Sequence, residues 1–167
     1  MAYEFYVTIE GTKQGAFKGE SPRTAHASKI AGLSYDHAIV SPRDIATGQP
    51  SGKRQHGPIT ITKEWGASSP MLFKALVSNE VLKSVLFEFY KTTPEGVEDI
   101  YYKITLTNAT VSKIHYTTGS GESANTAKTQ SSYDTHELEE VAFTYQRIDV
   151  EDVGAKTMAS ADWKGES

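Results

Sequence analysis

Five histidines and a cluster of carboxylates are the residues of this chain that could do chemistry. His26, His37, His56, His115 and His136 could ligate a metal or act as general bases, and Glu137, Glu139 and Glu140 could supply an acid and a base. Neither reading finds the spacing it needs. A zinc site announces itself by ligands at short fixed intervals, such as two histidines four apart on one helix, and these five fall in separate segments. They are expected to be surface or loop side chains. Glu137 and Glu139 share one face of a predicted strand, where solvation is the ordinary role, and nothing predicts the raised pKa that an acid catalyst needs. A serine nucleophile requires a sharp turn between a strand and a helix, which neither Gly119-Ser120-Gly121 nor Ser21 has. The same Gly-Ser-Gly lacks the following helix, Lys and hydroxyl residue of a phosphate-cradling loop. The expectation is therefore no catalytic residue, no metal ligand and no cofactor, with a hydrolase using Glu137 or His136 as the enzymatic alternative.

Composition narrows the field further. The 167 residues suit one domain spanning 1–167, large enough to bury a core without staples. Lys and Arg total 17 against 21 Asp and Glu, a net charge of −4 that lacks the basic surplus for neutralising phosphates, so nucleic acid is not an expected partner. The absence of cysteine excludes disulfides and thiol chemistry. Met1–Val7 has no basic n-region or apolar core of a signal peptide, and no stretch of about 18 apolar residues occurs; a protein made soluble in the cytoplasm, with no membrane insertion, is expected.

The elements that must position any site are mostly strands. Tyr3, Phe5, Val7 and Ile9 alternate with Glu4, Tyr6, Thr8 and Glu10, the period of a half-buried strand. A weaker β pattern runs from about Ala27 to Ile39 with a break at Gly32. Ile59 and Ile61 oppose Thr60 and Thr62 on a further strand. One helix is predicted over about 69–78: Ser69 can cap it, Pro70 suits its first position, Leu72, Phe73, Leu76 and Val77 recur at helical spacing, and Asn79 is a stop. Strands follow over Val81–Lys91, a turn at 92–96, then Asp99–Asn108 and Ala109–Thr117 separated by a bend near Asn108. Gly119 to Thr135 reads as a flexible loop. Glu137–Val150 is the last strong strand, with a bulge or second buried face at Ile148 and Val150. The small, polar tail from Gly154 carries one anchor, Trp163.

Between Ser41 and Gly57 the chain is rich in Gly, Pro and Ser, with little room for regular structure. A connection this long inside a compact domain is either a surface contact arm or a disordered excursion, and the functional use of long loops favours the arm.

Several ordered motifs carry a resemblance. Gly52-Lys53-Arg54-Gln55-His56-Gly57-Pro58-Ile59-Thr60-Ile61-Thr62-Lys63-Glu64 leads into Ser69-Pro70 and the helix. Leu86-Phe87-Glu88-Phe89-Tyr90, Tyr101-Tyr102-Lys103-Ile104-Thr105-Leu106-Thr107-Asn108-Ala109 and Glu139-Glu140-Val141-Ala142-Phe143-Thr144-Tyr145 follow. Together they resemble the Hcp (haemolysin-coregulated protein) family, the tube subunits of type VI secretion systems. Trp65-Gly66-Ala67 departs from the more acidic, polar link expected there.

The resemblance implies a mainly β fold, a compact β-barrel of two sheets with one flanking helix. It implies hexameric rings that stack into a hollow tube, carry or chaperone effectors in the lumen, meet a trimeric spike and a contractile sheath, and are secreted without a signal peptide. On that reading the Ser41–Gln55 arm, with Val40, Pro42, Arg43, Gln49 and Pro50, is the candidate ring-stacking loop. Short polar side chains such as Thr60 and Thr62 are candidates for the lumen wall, although either strand face could line it. The alternative from a different class is a monomeric β-barrel that encloses a small molecule or sugar between its aromatic faces.

Overall fold

A computed structural model describes residues 4–21, 23–118 and 137–164. Its elements in chain order are β1 (Glu4–Gly11), β2 (Gly15–Ala16), β3 (Ile30–Gly32), β4 (Ser34–Asp36), β5 (Ile39–Val40), β6 (Gln55–His56), β7 (Ile59–Glu64), α1 (Ser69–Val77), β8 (Leu82–Thr92), β9 (Glu98–Thr117), β10 (Leu138–Thr144), β11 (Arg147–Asp152) and β12 (Thr157–Asp162). All pairings are antiparallel. One sheet runs β1, β8, the first half of β9, β11 and β12, with β2 and β3 sharing the free edge of β1. The other runs β4, β7, β10 and the second half of β9.

The alternation read in the sequence decides which faces meet. Phe5, Val7 and Ile9 of β1, Ile59 and Ile61 of β7, and Val85 and Phe87 of β8 are buried between the layers. Phe87 and Phe143 meet edge to face across the core with centroids 6.2 Å apart, the arrangement that aromatic quadrupoles prefer. Tyr6, on the opposite face of β1, is buried as well because the ring of His26 stacks on it at 4.1 Å.

Two neighbouring crossings carry the chain between the sheets. The predicted bend at Asn108 does not end a strand: β9 continues through it, pairing with β8 and β11 before the bend and with β10 after it. Asn108 adopts φ +50, a left-handed conformation that Asn tolerates better than most residues. Beside it, the predicted Glu137–Val150 strand divides at Tyr145–Gln146 into β10 in one sheet and β11 in the other. The Gln146 N–H donates to the Thr107 and Asn108 carbonyls, and Asn108 Nδ2 donates to Gln146 Oε1 at 2.7 Å, clamping both crossings.

The expected barrel is not closed. At the far corner the chain changes sheets through Leu33, between β3 and β4, each of which offers only three residues to its ladder. The Leu33 N–H bonds the Thr62 carbonyl, which staples the corner without making a continuous ladder. The small, polar tail, for which no element was expected, forms edge strand β12, and Trp163 docks as predicted. The Gly119–Thr135 segment expected as a flexible loop lies outside the described residues.

Helix α1 matches its predicted span within a residue, and Asn79 stops it in the left-handed region at φ +50. Its start differs from expectation. Ser68 occupies the cap position, and its N–H and hydroxyl both donate to Glu20 Oε2. Ser69 instead donates its hydroxyl to Glu139 Oε1 at 2.7 Å. Leu72 and Ala75 are buried, but Phe73 and Val77 are exposed, because only one side of this nine-residue helix is covered.

Candidate functional site

Ser41–Gly57 is an ordered hairpin, not an excursion. β5 and β6 pair at its base, Arg43 bridges Pro50 further out, and Ser51 N–H to Pro42 O at 2.9 Å and Asp44 N–H to Gln49 O at 2.8 Å continue the ladder. At the tip Asp44 Oδ1 accepts the Ala46 N–H, and Gly48 turns with φ +72, which glycine alone adopts without steric cost. Ladder bonds hold the arm out, so its side chains are not covered. Ile39 and Val40 are exposed, and Ile45 at the tip is completely so, at 102% relative exposure. Among the candidate stacking residues, Pro42 is half-buried while Val40, Arg43, Gln49 and Pro50 face solvent.

A polar and aromatic joint anchors the arm to the body. The Tyr145 hydroxyl lies 2.8 Å from His56 Nδ1 and 3.0 Å from His37 Nε2. Arg54 Nε donates to His56 Nε2 at 3.1 Å, and Arg54 Nη2 donates to the Asp162 carbonyl at 3.1 Å. Trp163 stacks on the His56 ring at 5.5 Å and meets the edge of Tyr145 at 5.0 Å. Since Arg54 must donate to His56 Nε2, a neutral His56 carries its proton on Nδ1 and donates to Tyr145, whose O–H is then free to donate to His37. One consistent chain of donors thus runs from Arg54 to His37. Burial, then the neighbouring His56, lower the His37 pKa, with Asp36 opposing; burial, then Arg54, lower that of His56. Burial raises the Tyr145 pKa to about 12, so its hydroxyl keeps its proton.

The candidate lumen residues sit elsewhere. Thr60 and Thr62 face away from the core between Ser34 and Asp36 on β4 and Glu140 and Ala142 on β10. That face presents short polar and acidic side chains, and the structure does not bring it together with the arm.

The residues that could have done chemistry are dispersed, and several readings need correction. His26 is buried, with its Nε2 2.8 Å from Glu98 Oε2, and His37 and His56 are half-buried in the joint, so three of the five are structural rather than superficial. His115 is exposed. His136 and Gly119-Ser120-Gly121 lie outside the described residues. Glu139, expected to be solvated, is fully buried against Lys63, whereas Glu137 and Glu140 are exposed. The ion pair escaped sequence reading because its partners stand 76 positions apart. Ser21 accepts the Arg23 N–H through its hydroxyl. Among the described residues no three His, Asp or Glu side chains converge as a metal site, and no helix is long and apolar enough to cross a membrane. An open cleft of about 340 Å³ lies between Asn108, Thr144, Tyr145 and Trp163, outside the packed core.

A two-layer β fold with one short helix and a projecting arm frames the comparison with known proteins. The family described as "Type VI secretion system effector, Hcp" matches residues 6–151. The chain belongs to the Hcp family. The "Major exported protein" of Pseudomonas aeruginosa is 34% identical over 174 aligned positions, spanning 98% of this chain and 97% of that relative. A crystal structure of an Hcp protein superposes with a TM-score of 0.84 at 28% identity, covering 97% of this chain and 98% of that one. The Hcp1 protein of an enteroaggregative E. coli gives 0.81 at 26% identity over 97% and 99%. The secreted Hcp3 of Pseudomonas aeruginosa gives 0.77 at 27% over the same shares. The description of that family ties the chain to type VI secretion.

Proposed function

We propose that this Hcp chain is the repeating subunit of a type VI secretion inner tube, in which six copies close into a ring and rings stack around a hollow lumen. The family match across residues 6–151 carries the reading. An arm held out by backbone bonds, with an apolar tip that its own chain leaves bare, supports a role in contacts between copies. Each copy presents unlike surfaces to its neighbours, a heterologous contact that closes by rotation. Stacking uses the arm with Val40, Pro42, Arg43, Gln49 and Pro50, and Thr60 and Thr62 belong to a polar lumen wall that carries effectors without tight adhesion. The ring is assembled in the cytoplasm, meets the spike and sheath there, and leaves by the secretion machine itself. The role is structural rather than catalytic. The packed aromatic core supports this over a small-molecule barrel, since Phe5, Phe87 and Phe143 fill the space a ligand would need.

Light scattering coupled to size-exclusion chromatography, with negative-stain microscopy, tests the proposal. Six-fold annuli of about six times the 18.3 kDa chain mass are expected. A monomer at every concentration overturns it.

A further inference from the structure

Trp65 and Tyr116 form an exposed aromatic platform that no function described above uses. Their centroids lie 5.9 Å apart, edge to face, and each ring is about two-fifths exposed. Trp65 Nε1 donates to the Leu138 carbonyl at 2.9 Å, which fixes the indole in place. A rigid, half-exposed Trp and Tyr pair has the composition of an interface hot spot, since large aromatic area is offered without the cost of ordering it. Exposed Glu64 and Glu137 flank it, and the Trp65 N–H bonds the Glu137 carbonyl at 3.0 Å.

The complementary surface belongs to the same chain. The arm base adjoins Ile59 at one end of β7, and Trp65 follows Glu64 at the other, roughly 20 Å away by strand rise. Each side of the hairpin has about eight residues, enough to project on the order of 25 Å. The arm presents bare Ile45 and two exposed cations, Arg43 and Lys53, neither of which has an ion pair among the described residues. Thus an arm with an apolar tip, Arg43 and the carboxylate Asp44 beside that tip and Lys53 nearer its base, lies at one end, and an aromatic platform with two carboxylates at the other. A guanidinium over an indole adds a cation–π attraction.

We infer that the arm of one copy docks on the Trp65–Tyr116 platform of a second copy, Ile45 against the rings and Arg43 and Lys53 against Glu64 and Glu137. The contact is head to tail, and unlike charges fix its direction. This rests on the assembly reading above and names the receptor that reading leaves open.

The chain has no cysteine, so cross-linking is clean. Full-length protein carrying Ile45→Cys and Ala67→Cys, both at exposed positions, is oxidised mildly and run without reductant. A multimer ladder is expected, and the same arm cysteine paired with Met158→Cys on β12 gives none. A ladder equally strong with Met158→Cys, or none with Ala67→Cys, overturns the docking site. If microscopy still shows stacked rings in that case, tube assembly stands and the receptor lies elsewhere; if it shows no stacking, the assembly reading fails as well. Charge reversal gives a second measurement that needs no disulfide. Arg43→Glu with Lys53→Glu should weaken end-to-end association by roughly tenfold or more, and adding Glu64→Lys with Glu137→Lys should restore it. Failure of that rescue overturns the pairing.

Discussion

Lys63 and Glu139 stand directly opposite each other on β7 and β10 and form an ion pair with neither side chain reaching solvent. The lysine also donates to the Glu64 carbonyl and lies 3.1 Å from Glu20 Oε1, while Ser69 binds the same Glu139 oxygen. The start of α1 is thereby tied to the second sheet through charge, where a hydrophobic contact would be the ordinary solution.

Removing one partner leaves a buried charge without compensation, which costs about 3–5 kcal/mol. Lys63→Ala should therefore lower the urea midpoint severely. Lys63→Met combined with Glu139→Leu should recover part of the loss, because similar volume is kept and the two fully buried charges leave together, although the part-buried Glu20 still loses its cation. A single variant within about 1 kcal/mol of the parent in urea denaturation would show that water reaches the pair.

The joint under the arm predicts an acid-sensitive stability. His37 and His56 have lowered pKa values in the fold, so below about pH 6.5 the unfolded chain binds more protons than the folded one. Stability falls as pH drops through that region, and above it both rings are neutral and contribute no slope. Thermal melts at pH 7.5 and pH 5 should show a smaller difference in a His37→Asn, His56→Asn double variant than in the parent. Equal differences would mean that the joint does not resist protonation.

How much of this was legible depends on the range of the interaction. Alternation in Phe5–Ile9 and Ile59–Ile61 fixed strand faces because the period is a property of neighbouring residues. The same logic misjudged Phe73 and Val77, since helical spacing shows which residues share a face but not how far a neighbour covers it. β12 went unseen because an exposed edge strand needs no apolar alternation: Met158 is bare, and only Ala161 packs on the core. The arm's length announced a purpose, while its order, held by backbone bonds between residues such as Pro42 and Ser51, left no mark on side-chain pattern. The Lys63–Glu139 pair and the shared Tyr145 hydroxyl were out of reach, for their members meet only after the sheets have formed.

The tip of the arm offers a separation of stability from assembly. Ile45 contacts nothing that would shield it within its own chain, so Ile45→Asp should leave the melting temperature within about 2 °C of the parent, as expected for surface substitutions. The same change places a charge at the centre of the contact that the arm makes, and ring stacking should be lost while single rings persist. Sedimentation at rising concentration reads both effects in one sample. Loss of rings themselves would assign the arm to contacts within a ring.

The corner at Asn108 makes the sharpest demand on backbone conformation. Its φ of +50 is strained for a side chain without a short polar group, and its amide also clamps Gln146 across the second crossing. Asn108→Ala loses both the conformational tolerance and the clamp, and should cost about 1–2 kcal/mol. Asn108→Gly loses only the clamp, since glycine enters the left-handed region freely, although its unfolded chain gains entropy. Glycine should therefore be the milder substitution by urea denaturation. The opposite order would mean that the entropy glycine adds to the unfolded chain outweighs the strain of a left-handed alanine at this corner.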